Sequence, residues 1–272
     1  VSPTVLHAHA QTGVATVASE FQAPGPSDFW QPLVGDGAWA LTRPGVMMLI
    51  SVLVLGVFYV TLSKRLTVVP SKTQWLAEGV YGFARDTIGR DIIGARDFRP
   101  FIPFIFTLFT LILLNNLMGI IPIIQYPSLS RIGIPIALTA IVYVVYQAVG
   151  IKRKGGFLGW VKSMVPPGLP AWIVPMMFVL ELMRFFITQP VTLALRIFGN
   201  MFAGHLMLLL FSLGGEYLLL HGSNVGLQAA GILSFLVFIV MTAFELLIAV
   251  LQAFIFALLA ALYIGDAVSD GH

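Results

Sequence analysis

The chain of 272 residues contains no cysteine, which excludes a disulfide framework and thiol chemistry and says little about compartment. Charge is scarce as well. Only 10% of residues are Asp, Glu, Lys or Arg, against about 25% in a soluble domain. Hydrophobic residues make up 58%, and the mean hydropathy is +0.94. That balance excludes a soluble globule and points to an all-α polytopic membrane protein. Residues 232–264 are 33 positions without a Gly or a Pro, so no turn is expected there. HExxH, GxSxG and paired-Asp signatures are missing, which argues against an intramembrane protease or transferase. The absence of an internal repeat argues against an inverted-repeat transporter. No metal site or cofactor is expected. The net charge of +3 is weak evidence for nucleic acid, because the basic residues cluster beside hydrophobic runs, as topology signals do.

What is present reads as five membrane crossings. Residues 44–63, 101–121 and 134–150 are apolar stretches able to span a hydrocarbon core of roughly 30 Å. Lys64 and Arg65 follow the first. Arg85, Arg90, Arg96 and Arg99 precede the second, and Lys152, Arg153 and Lys154 follow the third. All three clusters face the cytoplasm if the N-terminus is outside, with Arg131 the exception in an outer loop. In residues 71–99, Leu76, Val80 and Phe83 recur at helical spacing between charges of alternating sign. This predicts an interfacial helix on the cytoplasmic face. Residues 155–170 are rich in Pro and Gly and read as a cytoplasmic connection. Residues 1–43 hold no signal-like apolar core. Broken by Pro24, Gly25, Pro26 and Pro32, they read as an extracytoplasmic arm held at the membrane by Phe29, Trp30 and Trp39. Residues 44–272 form one membrane domain.

The last hundred residues are too long to stand upright. As one helix, residues 232–264 would measure roughly 50 Å, so a steep tilt is expected, well beyond the usual ~20°. Residues 172–213 are likewise long, with Pro175 and Pro190 as places to kink or restart. A loop over 214–224, with Gly214, Gly215, Gly222 and Asn224, joins 172–213 to 225–266 as a hairpin. A turn near residue 219 sets Arg196 level with residue 242 and His205 level with residue 233, within several residues.

Arg196 is the only Arg or Lys between 188 and 213. Its charge is permanent and costs roughly 2.5–3.5 kcal/mol at the centre of a membrane helix. It must be met by a carboxylate, by water or by a partner chain. Thr192, Arg196 and Asn200 share a helix face, and His205 points about 180° away. Glu245 and Gln252 share a face on the last helix, with Thr242 beside Glu245. A carboxylate in hydrocarbon marks an ion path by default. An imidazole, with an ordinary pKa of about 6.5, exchanges protons readily near neutral pH. His205 and Glu245 therefore read as one relay, with a bundle hydrogen bond the plainer alternative for His205. For Arg196 the plainer alternative is a salt bridge to Glu245. Glu181 and Arg184, three apart, either pair with each other or act separately. Asn115, Asn116 and Gln147 either line a cavity or bond across helices.

At these residues the chain resembles the a subunit of the rotary F-type ATP synthase, from about residue 44 to 267. The resemblance is carried by PVTLALRIFGNMFAGH (190–205), ELLIAVLQAFIFALLAALYI (245–264) and NLMGIIP (116–122). It implies a stationary proton-channel subunit, not an enzyme on its own, whose tilted hairpin packs against the c-ring. It also implies peripheral-stalk b subunits and the lipid bilayer as partners, in a bacterial plasma membrane with the C-terminus cytoplasmic. By position, Arg196 is the essential charge facing the ring, with Asn200 and Gln252 as polar neighbours and Thr192 and Asn116 in support. His205 and Glu245 match the outer half-channel, and Glu181 the cytoplasmic one. Three departures stand out. Gln189 replaces a residue that is basic in many members. Glu181 lies nine residues before Pro190 where eight is common, and SLSRIGIPIALT (128–139) replaces an Asp/Asn-containing motif, so no channel residue is assigned there. The competing reading is a proton- or sodium-coupled secondary transporter, which would not hold a stoichiometric c-ring.

Overall fold

The computed structural model describes residues 25, 32–34, 41–121, 128–164, 170 and 172–269. Among them, five helices are long and apolar enough to cross a membrane: Arg43–Ser63, Arg99–Ile120, Gly133–Arg153, Val174–His221 and Val225–Val268. Most of the arm, including Pro24, Pro26, Phe29, Trp30 and Trp39, lies outside the described residues. Its described end was not foreseen: Pro32–Val34 (β1) pairs antiparallel with Leu41–Thr42 (β2).

Helix α1, Arg43–Ser63, starts with Pro44 in its first turn, where a missing N–H costs nothing. Helix α2, Lys72–Phe83, is capped by Ser71, whose Oγ accepts from Gln74 N–H at 3.3 Å. It runs on through a π turn, Ala84–Arg90, into the short α3, Asp91–Ile93. The apolar spacing read from the sequence is helical, yet it does not define one buried face. Phe83 packs at a tilt against Phe109 and Phe254, with ring centroids 5.7 and 5.6 Å away, and Val80 packs on the core. Leu76 is exposed beside Trp75, and Gln74, Ala77, Ala84 and Ile88 are buried instead. Helices α4, Ile102–Ile120, and α5, Gly133–Arg153, cross next. The connection after α5 is less irregular than its composition suggests. It contains α6, Phe157–Ser163, whose Trp160 lies buried against Gly150.

The hairpin is built from α7, Val174–Met183, a π turn over Arg184–Thr188, α8, Gln189–His221, and α9, Val225–Val268. Pro190 has no N–H and its ring crowds the carbonyl four residues back. The π turn absorbs this, with Gln189 N–H reaching the Arg184 carbonyl, so the chain neither stops nor restarts.

The turn falls later than the glycines suggested. Gly214 and Gly215 are helical, and the break comes at Gly222–Asn224, where Asn224 Oδ1 accepts from Leu227 N–H at 2.9 Å. Gly215 and Gly231 serve close packing. A Cβ on Gly231 would sit 3.0 Å from the Gly215 carbonyl oxygen, and Ser234 Oγ donates to the Phe211 carbonyl at 2.8 Å. The pairing therefore shifts by about three turns along α9. Gly204 lies level with Glu245, so His205 is level with Glu245 and not with residue 233, and Arg196 lies near Gln252 and not near residue 242.

The 44 residues of α9 measure about 66 Å at 1.5 Å per residue. A hydrocarbon layer of roughly 30 Å holds the whole of such a rod only at an inclination of roughly 60–65°. The second half of α9 enters the core on a face of small residues, Ala249, Ala253, Ala257, Ala260 and Ala261 with Phe256 and Ile264, against Ile105 and Ile112 of α4 and Val142 of α5. Three links gather the chain at one end: Arg153 pairs with Asp97, Lys154 Nζ donates to the Ser269 carbonyl at 2.8 Å, and Arg184 bonds Asp266 at 3.1 Å. At the opposite end Arg131 donates to Thr42 Oγ1 at 2.8 Å.

Candidate functional site

Helix α8 is two-faced in a way that decides where its charge points. Leu193, Ile197, Met201, His205 and Leu208 recur every three or four residues and are buried. Val191, Thr192, Leu195, Arg196 and Ala203 are exposed on the other side. Asn200 is half-buried, and a Cβ on Gly199 would meet nothing within 4 Å. Among the described residues Arg196 joins none of the four ion pairs. A salt bridge to Glu245 is not formed. The guanidinium stands on an open, apolar face of a membrane helix, and its counter-charge is not on this chain among the described residues.

Nearer the hairpin tip, the Glu245 side chain lies against Gly204, so close that a Cβ there would displace the carboxylate. Glu245 is buried at 9% exposure, and among the described residues no side chain hydrogen-bonds or ion-pairs with its carboxylate. His205, the next residue, is buried too. Gln252 follows Glu245 by two turns and sits near the level of Arg196. Its Nε2 is buried without a partner among the described residues, as are both amide atoms of Gln147 and Thr139 Oγ1. Unmet polar atoms are rare inside proteins, and rarer where the surroundings are lipid.

Asn116 takes the second of its two readings: Nδ2 donates across the helices to the Ala249 carbonyl at 3.0 Å. Asn115 is also tied down. Its Nδ2 donates to Ser51 Oγ at 2.8 Å and its Oδ1 accepts from Ser128 Oγ at 2.6 Å.

A second polar cluster lies beyond Arg196 in the other direction. Glu181 and Arg184 do pair, at 3.3 Å, and Arg184 also reaches Asp266. With Tyr146, Lys154 and Tyr263 they line a cavity of about 420 Å³. Gln189 does not face it openly. It is buried and accepts from Tyr146 Oη at 3.1 Å. Sequence reasoning missed Asp266, Tyr146 and Lys154 here. The available signal was Asp266 itself, a carboxylate in the last turn of a helix, where the dipole opposes it.

Arg196 thus stands between two polar clusters. At 1.5 Å per residue it is ~12 Å along α8 from the Gly204–Glu245 level and ~18 Å from Arg184. The first cluster lies toward the hairpin tip, and the second lies at the end where the basic clusters gather. Among the described residues no group of three His, Cys, Asp or Glu could hold a metal ion.

Comparison with known proteins gives the family. The family model for the ATP synthase A chain matches residues 45–265. The ATP synthase subunit a of Nocardioides sp. is 44% identical over 264 residues, covering 93% of this chain and 95% of that protein. The subunit a of Pseudarthrobacter chlorophenolicus is 39% identical over 259 residues, covering 94% and 96%. That of Streptomyces lividans is 37% identical over 262 residues, covering 93% and 89%.

Proposed function

Because the chain belongs to the ATP synthase A chain family, and is therefore the non-catalytic proton-channel subunit of an F-type ATP synthase in a membrane, we propose that Arg196 is the fixed charge past which the ring carboxylates of that machine turn. The observation that carries this is the exposed guanidinium, without an ion pair among the described residues, on the open face of α8. A c-subunit ring seated on that face supplies the carboxylate it lacks, with Thr192, Asn200 and Gln252 as polar neighbours. Peripheral-stalk b subunits and lipid cover other apolar faces.

Protons enter from outside through a half-channel lined by Glu245 and His205 and bind a ring carboxylate. The neutral carboxyl then tolerates lipid, since the desolvation penalty falls on the charged form. After rotation the site meets the cavity at Glu181, where the proton leaves to the cytoplasm. Arg196 favours the ionised carboxylate as it passes and repels a proton moving straight across. The N-terminus lies outside and the C-terminus inside a bacterial plasma membrane, because the end holding Lys64, Arg85, Arg90, Arg99, Lys152, Arg153 and Lys154 is the cytoplasmic one.

Arg196→Ala in the assembled complex is the test. It should abolish proton-driven ATP synthesis in membrane vesicles, and normal coupled synthesis in that variant would refute the assignment. Copurification of a stoichiometric c-ring separates this reading from a coupled transporter.

A further inference from the structure

Asp266 occupies a position that helix physics disfavours. It stands in the last turn of α9, where the free carbonyls are negative and a carboxylate is repelled. Arg184 holds it there: Nη2 donates to Asp266 Oδ2 at 3.1 Å, and Nη1 of the same guanidinium donates to the two oxygens of Glu181 at 3.4 and 3.3 Å. One cation therefore serves two carboxylates through opposite nitrogens. All three side chains line the cavity of about 420 Å³. Exposure rises across it, from 17% for Glu181 to 52% for Asp266. The other titratable groups facing the trio are Tyr146 and Lys154 from α5 and Tyr263 from α9, and Lys154 already donates to the Ser269 carbonyl.

We propose that Asp266 is a positioning residue for proton release, taking the Arg184 guanidinium whenever Glu181 is protonated. This rests on reading the cavity as the cytoplasmic half-channel. The proton lost from the ring carboxyl forms an O–H on Glu181, and the ring site becomes a carboxylate. Glu181, now neutral, holds Arg184 only weakly. With Asp266 present the trio passes from one net negative charge to neutrality. Without Asp266 it would pass from neutrality to a net positive charge, with no carboxylate left to hold the 45% exposed guanidinium in place. When the proton moves on to water in the cavity, Arg184 is shared again and the trio is reset.

The test uses the complete ATP synthase in proteoliposomes. Asp266→Asn should slow proton-driven synthesis and ATP-driven pumping roughly tenfold per assembled complex, the scale of one charge-assisted hydrogen bond. Asp266→Glu should restore most of the rate. The decisive variant is Arg184→Gln with Asp266→Asn. With the cation gone, the need for Asp266 goes too, so this double variant should run faster than Asp266→Asn and match Arg184→Gln alone. A wild-type rate for Asp266→Asn, or a double variant slower than Arg184→Gln, overturns the proposal. If Asp266→Asn does not assemble, the comparison of the double variant with Arg184→Gln still decides. Glu181→Gln separates the two levels. If it translocates protons at the wild-type rate, the half-channel reading itself fails. If it is impaired while Asp266→Asn is not, only the role of Asp266 falls.

Discussion

Gly204 and Glu245 are packed so that the carboxylate fills the space where a Cβ would be. The contact joins α8 to α9 at the level of His205, and it makes the smallest side chain in the hairpin a determinant of where its buried carboxylate sits. The flexible end of Glu245 is what must yield to a larger residue, not the backbone.

Gly204→Ala should therefore leave assembly intact and displace the carboxylate. If Glu245 lines the outer half-channel as proposed, proton translocation should fall several-fold, read as ATP-driven acidification of vesicles, while complex yield stays level. Gly204→Val should be worse. A Gly204→Ala complex with unchanged pumping would show that Glu245 needs no fixed place.

Arg196→Lys keeps a positive charge and loses the planar fork and the permanence of that charge. Coupled synthesis should drop by tenfold or more in a complex that assembles at normal yield. Near-normal synthesis would mean that a point charge suffices on this face.

Asn116→Leu removes the bond to the Ala249 carbonyl. That carbonyl keeps its helical partner, so the cost should be about 1 kcal/mol, seen as a modest fall in thermal stability of the complex. Pumping should be largely retained. A loss of pumping without a loss of stability would instead place Asn116 in the proton path.

Gly231→Leu acts on the pairing of α8 and α9. Its added side chain meets the Gly215 carbonyl and the Leu219 backbone, which cannot step aside cheaply. Overpacking of this kind costs about 1–3 kcal/mol, so less subunit should be recovered in assembled complex, and what is recovered should pump normally per complex.

Much of this arrangement was legible in the sequence, and the exceptions have physical causes. The tilt of α9 could be read because a long apolar run without Gly or Pro has only one way to fit a thin layer. That Arg196 and His205 lie on opposite faces followed from helical periodicity, but which face is open did not, and a salt bridge to Glu245 was a reading the sequence allowed. The hairpin register did not follow, because Gly214 and Gly215 look like turn residues and Gly215 is used instead to let Gly231 approach. That difference moved Glu245 from the neighbourhood of Arg196 to that of Gly204 and His205. The partner of Asp266 was hidden for the same reason: only the final register brings it to Arg184, 82 positions away. Pro190 announced a disturbance, and a π turn over Arg184–Thr188 was the form it took. Buried Trp160 and the short helix around it were hidden among glycines and prolines that suggested only a loop.

The three links between Arg153 and Asp97, Lys154 and Ser269, and Arg184 and Asp266 have a mechanical meaning. Two of them, Lys154 to Ser269 and Arg184 to Asp266, tie α9 firmly at its C-terminal end, where Ala257, Ala260, Ala261 and Ile264 are also fully buried, and Arg153 with Asp97 braces the end of α5 beside it. Toward Asn224 the same helix buries only Gly231 before Glu245. The hairpin is thus a cantilever, clamped where Glu181, Arg184 and Asp266 line the cavity and supported mainly by its own partner helix at the far tip. A sideways load on the hairpin would be borne at the clamp and would bend the tip most, so the geometry around Arg184 and Asp266 is the part held constant.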